Sequence, residues 1–319
     1  MIGDEIIHVT GDDMPELHKV KTLEDYIKDF LDQHDVRPAS RERYKKSLKR
    51  FSEYVKQKNI QQITKAELKN YKEYLIDDKQ GLSNLTVGAY IIAVRLFFAY
   101  LYEEDIIPKD IAKKISSPEK SKTHQRHALT VEECTALLNY YKPKSLRDYA
   151  MINLMLRTGL RTIEVVRANI EDIAIVGGKR RIWVHGKGRT SKTDFVLLED
   201  PAFEPLTKYL ESRQWHSKSE PLFVSESSNK SKGTRLTTKT VSLTARTGLN
   251  AIGLTGEEYT AHSCRNTFGT LLLASGVKLE RVQQLMRHHN IQTTQGYVAD
   301  AEEQSRISDA PESVLNNLF

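Results

Sequence analysis

Cysteine is nearly missing from this 319-residue chain: Cys134 and Cys264 stand far apart and form no C-x-x-C pair. That spacing argues against a disulfide framework and a zinc site, so both read as free thiols and no metal is expected. No internal repeat and no low-complexity tract is visible. No apolar run approaches the roughly 18–20 residues that span a bilayer, so membrane insertion is not expected. The start also lacks a basic segment followed by an apolar one. It carries Asp4, Glu5, Asp12, Asp13 and Glu16 instead, which speaks against a secretory signal and for a cytoplasmic protein.

Hydrophobic residues make up 39% and charged residues 28%, a globular balance, and 36.5 kDa suits two domains of ordinary size. A net charge of +6 and a pI near 9.0 are compatible with a polyanionic partner without requiring one.

Helical periodicity begins after the leader, 1–21. Leu23, Tyr26, Ile27, Phe30 and Leu31 share one face, as do Tyr44, Leu48, Phe51 and Val55 in the next segment. Thr64 with Glu67 resembles a capping box before Leu68, Tyr71 and Leu75, and Ser83 is a plausible N-cap for a helix reaching Tyr102. Four helices thus fill a first domain, 22–107. Over 108–127 the periodicity fades while Ser116, Ser117, Pro118, Ser121 and several lysines accumulate, which predicts an exposed linker.

A second domain, 128–319, opens with helices over Val131–Tyr140, behind a Thr130/Glu133 capping box, and over Leu146–Arg157, stopped by Thr158-Gly159. Ile170–Val176 and Arg180–His185 read as strands joined by Gly177-Gly178, and Asp194–Leu198 as a third strand completing a small antiparallel sheet. Helices return beyond Pro201. The fold class is therefore two-domain and mainly α, with a mixed α+β second domain.

Arg41, Arg43, Lys45, Lys46, Lys49 and Arg50 crowd one helix with only Glu42 among them, flanking its apolar stripe. Such a face suits phosphates, and it equally suits water. A helical domain joined by a flexible basic linker to a second domain could close around a duplex, which is the layout found.

Moving a phosphodiester onto a protein side chain without a metal requires cations on the non-bridging oxygens, a base for the nucleophile and an acid for the leaving oxygen. The second domain holds each type. Arg161 follows the Gly159 turn, with Glu164 near enough to orient it. Lys187 stands between Gly186 and Gly188, where bare backbone can approach a ligand. His262 and Arg265, three apart on a helix, face the same way. His288 precedes Tyr297 by nine residues, with Thr293-Thr294 between them as an expected helix start. A tyrosine hydroxyl of pKa about 10 needs both a base and a cationic site to attack at neutral pH. Taken singly, each motif also fits an ordinary surface turn or helix; together, their order and spacing are distinctive.

Thr158-Gly159-Leu160-Arg161, Gly186-Lys187-Gly188, His262-x-x-Arg265 and His288-x8-Tyr297 together resemble the tyrosine recombinases, the phage-integrase and Xer-like enzymes. Leu82-Ser83 leading to Tyr90, Arg95, Phe97-Phe98 and Leu101 is similar to that family's core-binding, SAM-like helical domain. The resemblance runs from about Leu23 to Tyr297. It implies that Arg161 and Arg265 hold the scissile phosphate, His262 takes the tyrosine proton, Lys187 protonates the leaving 5′-oxygen, and His288 steadies the transition state. Tyr297 would carry a 3′-phosphotyrosine, with no cofactor, ATP or divalent metal. Arg287 stands where the family often has glycine, Ala261 and Cys264 flank His262 less typically, and His289 offers an alternative register for His288.

The implied partners are double-stranded DNA and further copies of the chain, in a tetramer that passes through a Holliday junction; accessory proteins could join. The tail, with Val314, Leu315, Leu318 and Phe319, would dock on a neighbouring copy or fold back in cis. The short leader leaves little room for a separate arm-binding domain and tilts toward a Xer-like or simple recombinase, in integration, excision or resolution. Two other readings stand beside it: a catalytically silent DNA-binding regulator, and a type IB topoisomerase-like enzyme that relaxes a single duplex.

Overall fold

The computed structural model describes residues 21–77, 81–119, 127–185, 192, 194–228, 230–288, 290–298 and 300–302. The chain divides into two compact units, Met1–Thr123 and His124–Phe319.

The first unit contains α1 (Leu23–Gln33), α2 (Pro38–Gln57), α3 (Lys65–Ile76) and α4 (Asn84–Glu103). Each start has a local cause. Thr22 and Asp25 cap α1 reciprocally, and Pro38, whose missing N–H has no partner to lose, opens α2. At α3 only half of the expected box forms: Thr64 accepts from the Glu67 amide, while the Glu67 carboxylate turns to Asn70. Phe30, Leu48, Phe51, Tyr71, Leu75 and Phe97 are essentially sealed from solvent. At about 1.5–3 kcal/mol for each large apolar side chain, this burial holds the bundle together.

Two expectations change here. Helix α4 is, after all, long and apolar enough to cross a membrane by length and composition. Its Val87, Ile91, Val94, Phe97 and Phe98 lie in the bundle core, so its apolarity has a packing explanation. The stretch expected to be an exposed linker from 108 onward instead contributes Ala112 and Ile115 to that core, because two isolated apolar residues suffice to dock a short segment that has no helical period.

The second unit contains α5 (Val131–Tyr141), α6 (Leu146–Thr158), α7 (Thr162–Arg167), β1 (Ile173–Val176), β2 (Lys179–Val184), β3 (Asp194–Leu197), α8 (Asp200–Ser212), α9 (Thr238–Ala251), α10 (Ala261–Ala274), α11 (Leu279–Met286) and α12 (Gln292–Gln295). Helix α6 is central, buried continuously from Ala150 to Leu156. The polar Asn153 within that stretch is satisfied by the Pro201 carbonyl at 2.7 Å and Arg157 Nε at 2.9 Å.

The sheet is antiparallel in the order β1-β2-β3, with Val176 opposite Lys179 across Gly177 and Gly178. Both glycines have positive φ, +60° and +72°, as the two-residue turn requires. The first strand is shorter than expected, because Ile170–Asp172 forms a 3-10 turn in which the Asn169 amide donates to Asp172. Ile182, Val184 and Val196 point into the main core.

Candidate active site

The site forms where three helix ends of the second unit converge. Helix α6 stops at Gly159, whose φ of +60° is open to glycine at little strain. A Cβ there would also meet the Phe268 ring at 2.5 Å, so α10 packs directly onto bare backbone. Two residues on, Arg161 stands at the N-cap of α7. Its amide donates to Glu164 Oε2 at 2.8 Å and its Nη1 to Glu164 Oε1 at 2.8 Å. These two bonds fix the guanidinium against Glu164.

Arg265 comes from the buried face of α10 and is only 1% exposed. Its Nη1 donates to the Gly159 carbonyl and its Nη2 to the Met286 carbonyl, at the end of α11. The last carbonyls of a helix carry partial negative charge and suit a cation. Arg161 uses the same helix end, donating from Nη2 to the Arg287 carbonyl at 3.2 Å. Burial, and then the neighbouring Arg161, pull the Arg265 pKa down to about 9, which leaves it cationic at neutral pH. Its Nε is buried without a hydrogen-bond partner among the described residues.

Glu164 is 1% exposed. Burial raises its pKa, but Arg287, the Arg161 amide and Arg161 more than offset this and hold the carboxyl below its usual range. It is therefore ionised, as a carboxylate receiving hydrogen bonds on both oxygens should be.

His288 follows α11, and its Nδ1 lies 2.9 Å from Thr294 Oγ1. Its ring stacks on that of Tyr297, 29° from parallel with centroids 5.9 Å apart. Burial, followed by the charges of Arg265 and Arg161, lowers its pKa to about 3, so the imidazole is neutral. Tyr297 is 7% exposed and packs with Val282 and Met286. Gly269 makes room for it: a Cβ there would meet Met286 Sδ at 2.7 Å and Tyr297 Cδ2 at 3.2 Å.

Of the expected residues, Arg161, Glu164, Arg265, His288 and Tyr297 thus belong to one connected cluster, and His262 sits half-buried in the first turn of α10, where its charged form would act on His288. Lys187 and the alternative His289 lie outside the described residues. Thr293-Thr294 does not start α12. The two residues lie inside it, and Asn290 Oδ1 receives the Gln292 amide near its start, which leaves the Thr294 hydroxyl to His288. The periodicity around Tyr297 gave no sign of Thr294's role, nor of Arg287's, although a cation directly before His288 was a usable signal.

Cys134 and Cys264 are free thiols, and burial pushes both up to about 12, which disfavours the thiolate. In the first unit, Arg43, Lys45, Lys46 and Lys49 of α2 are exposed, and Arg41 and Arg50 half-buried, opposite the buried Ser47, Leu48, Phe51 and Tyr54. The cations therefore line the outward side of the helix.

Comparisons with known proteins cover both units. The phage integrase family matches residues 127–304 and the phage integrase SAM-like domain residues 22–117. The tyrosine recombinase XerC of Caldanaerobacter subterraneus subsp. tengcongensis is 32% identical over 228 residues, 69% of this chain; the chain spans 61% of that relative's length. XerD of Staphylococcus epidermidis is 28% identical over 275 residues, covering 82% of this chain and 88% of the relative.

Among solved structures, XerH bound to palindromic difH in a post-cleavage complex superposes with a TM-score of 0.71 at 22% identity, covering 92% of this chain and 85% of that one. The Tn1549 integrase bound to transposon right-end DNA gives 0.67 at 16% identity, covering 90% and 99%. These likenesses concern the fold. Since the family match alone takes in more than half of the residues, the chain belongs to the phage integrase family of tyrosine recombinases, enzymes that cut and rejoin DNA strands at specific sites.

Proposed function

We propose that Tyr297 cleaves one DNA strand at a specific site by attacking the phosphorus, breaking the P–O5′ bond and leaving a 3′-phosphotyrosine. Arg161 and Arg265 bind the non-bridging oxygens, His262 accepts the phenolic proton, Lys187 returns a proton to the 5′-oxygen, and neutral His288 donates to the charge that builds up in between. The observation that carries this reading is the shared anchoring of Arg161 and Arg265 on the end of α11, directly beside the stacked His288 and Tyr297. The ester keeps the energy of the broken bond, so a 5′-hydroxyl of a second strand can attack it without ATP.

The wider reading is a tetrameric, Holliday-junction recombinase acting in the cytoplasm in Xer-like resolution or in movement of an element, with α2 gripping phosphates. The Xer relatives and the neighbours solved on DNA support the DNA partner. An apolar groove of about 440 Å³, lined by Val131, Leu138, Leu271 and Leu272 among others, is of a kind to receive Val314, Leu315, Leu318 and Phe319 from a neighbouring copy.

The test is covalent capture. Nicked duplexes prepared from the source chromosome should trap a protein–DNA adduct with the intact chain and none with Tyr297→Phe. An adduct that survives that substitution refutes the assignment, and relaxation of plasmids lacking the captured site would favour a topoisomerase instead.

A further inference from the structure

Residue 287 has a left-handed backbone, φ +55° and ψ +45°, at the end of α11. Glycine adopts that conformation freely and arginine does not. Yet the Arg287 side chain, only 6% exposed, is turned inward: Nη2 donates to Glu164 Oε2 at 2.8 Å and Nη1 to the Leu285 carbonyl at 2.8 Å. Its Nε is buried without a hydrogen-bond partner among the described residues.

Glu164 is thus shared. Arg161 Nη1 takes Oε1, while Oε2 receives both the Arg161 amide and Arg287 Nη2. Arg287 also holds Arg161 by a second route, since its carbonyl accepts from Arg161 Nη2. With only Arg161 beside it, the buried Glu164 carboxylate would cancel the charge meant for a phosphate. With Arg287 present, two guanidiniums bind the one carboxylate; counting Arg265, which is anchored beside them on the Gly159 and Met286 carbonyls, the formal charge of the group, +3 − 1, is +2.

We propose that Arg287 is a positioning residue of the recombinase reaction: it neutralises Glu164 from behind, which keeps Arg161 aimed and its positive charge available to the scissile phosphate. This rests on the assignment of Arg161 and Arg265 as phosphate ligands. It gives a reason for arginine at a backbone position that suits glycine better.

Arg287→Gly is the informative variant, because it keeps the left-handed turn and the carbonyl that Arg161 uses. Single-turnover cleavage of saturating nicked DNA by the full chain should slow by about 10- to 100-fold, the range of a lost charge contact at a phosphoryl site. DNA affinity should hold, and Arg287→Lys should recover most of the rate. In a Glu164→Gln background, where no carboxylate remains to neutralise, adding Arg287→Gly should slow cleavage by less than about 3-fold.

Wild-type cleavage by Arg287→Gly, or additive losses in the double variant, would overturn the proposal. If Arg287→Gly does not fold, Arg287→Lys against Arg287→Gln decides: a faster lysine variant supports the charge role, and equal rates refute it. Tyr297→Phe in the same assay separates the two levels. Adduct that persists there removes the site assignment itself, whereas an intact Tyr297 dependence with an indifferent Arg287 removes only this inference.

Discussion

Nδ1 of His288 lies 2.9 Å from Oγ1 of Thr294, whose side chain is completely buried. The contact ties His288, just past α11, to the short helix α12, whose Thr294 carbonyl also accepts the Tyr297 amide at 3.0 Å, so the His288 ring orientation and the Tyr297 backbone are set together. A buried hydroxyl with one functional partner is a sensitive place to cut.

Thr294→Val keeps the shape and removes that partner. Leaving Nδ1 unpaired should destabilise by about 1–3 kcal/mol and slow adduct formation by roughly tenfold, with DNA affinity unchanged in a mobility-shift titration. Thr294→Ser, which retains the oxygen, should approach the parent rate. If valine and serine behave alike, the hydroxyl has no such part.

Gly159→Ala forces a left-handed alanine and drives its Cβ toward the Phe268 ring. Strain of about 1–2 kcal/mol and overpacking of about 1–3 kcal/mol should add in urea denaturation. Gly276→Ala is the control, since φ there is +81° but the Cβ position is open. It should show the strain alone, and only Gly159→Ala, which disturbs the carbonyl that holds Arg265, should also lose cleavage.

His288 links stability to pH. Its folded pKa, lowered to about 3 from 6.5, means the unfolded chain binds a proton that the folded chain does not. The stability owed to this difference is complete above pH 6.5 and declines as pH falls from 6.5 towards 3. Over that acid window, melting temperature should drop more steeply for the parent than for His288→Asn; parallel curves would contradict a buried neutral ring.

Replacing Lys45, Lys46 and Lys49 of α2 with alanine should weaken DNA binding and reduce the log–log salt slope by about 0.9 for each phosphate contact removed, up to about 2.7. Cleavage at saturating DNA should be nearly unaffected. An unchanged salt slope would mean that the outward face of α2 meets only water.

The regular elements were legible because their causes are local. Thr64, Ser83 and Thr130 are N-caps by side-chain chemistry, and Gly177-Gly178 turns because it tolerates positive φ. Readings failed where a tertiary partner outbid a local preference. Ala112 and Ile115 have no periodicity but find a core, and Thr293-Thr294 looks like a cap while Thr294 serves His288.

Sequence alone determined the chemistry on offer: two arginines, a glutamate, histidines and a tyrosine in a fixed order, on helices and turns set by near-neighbour interactions. Tertiary structure decided which of them meet. Arg265 and Gly159 are distant in sequence, as are Arg287 and Glu164, and no spacing rule joins them. Those contacts exist because buried donors and a buried carboxylate must be satisfied within the core, and the end of α11 is where the packed helices leave carbonyls to satisfy them.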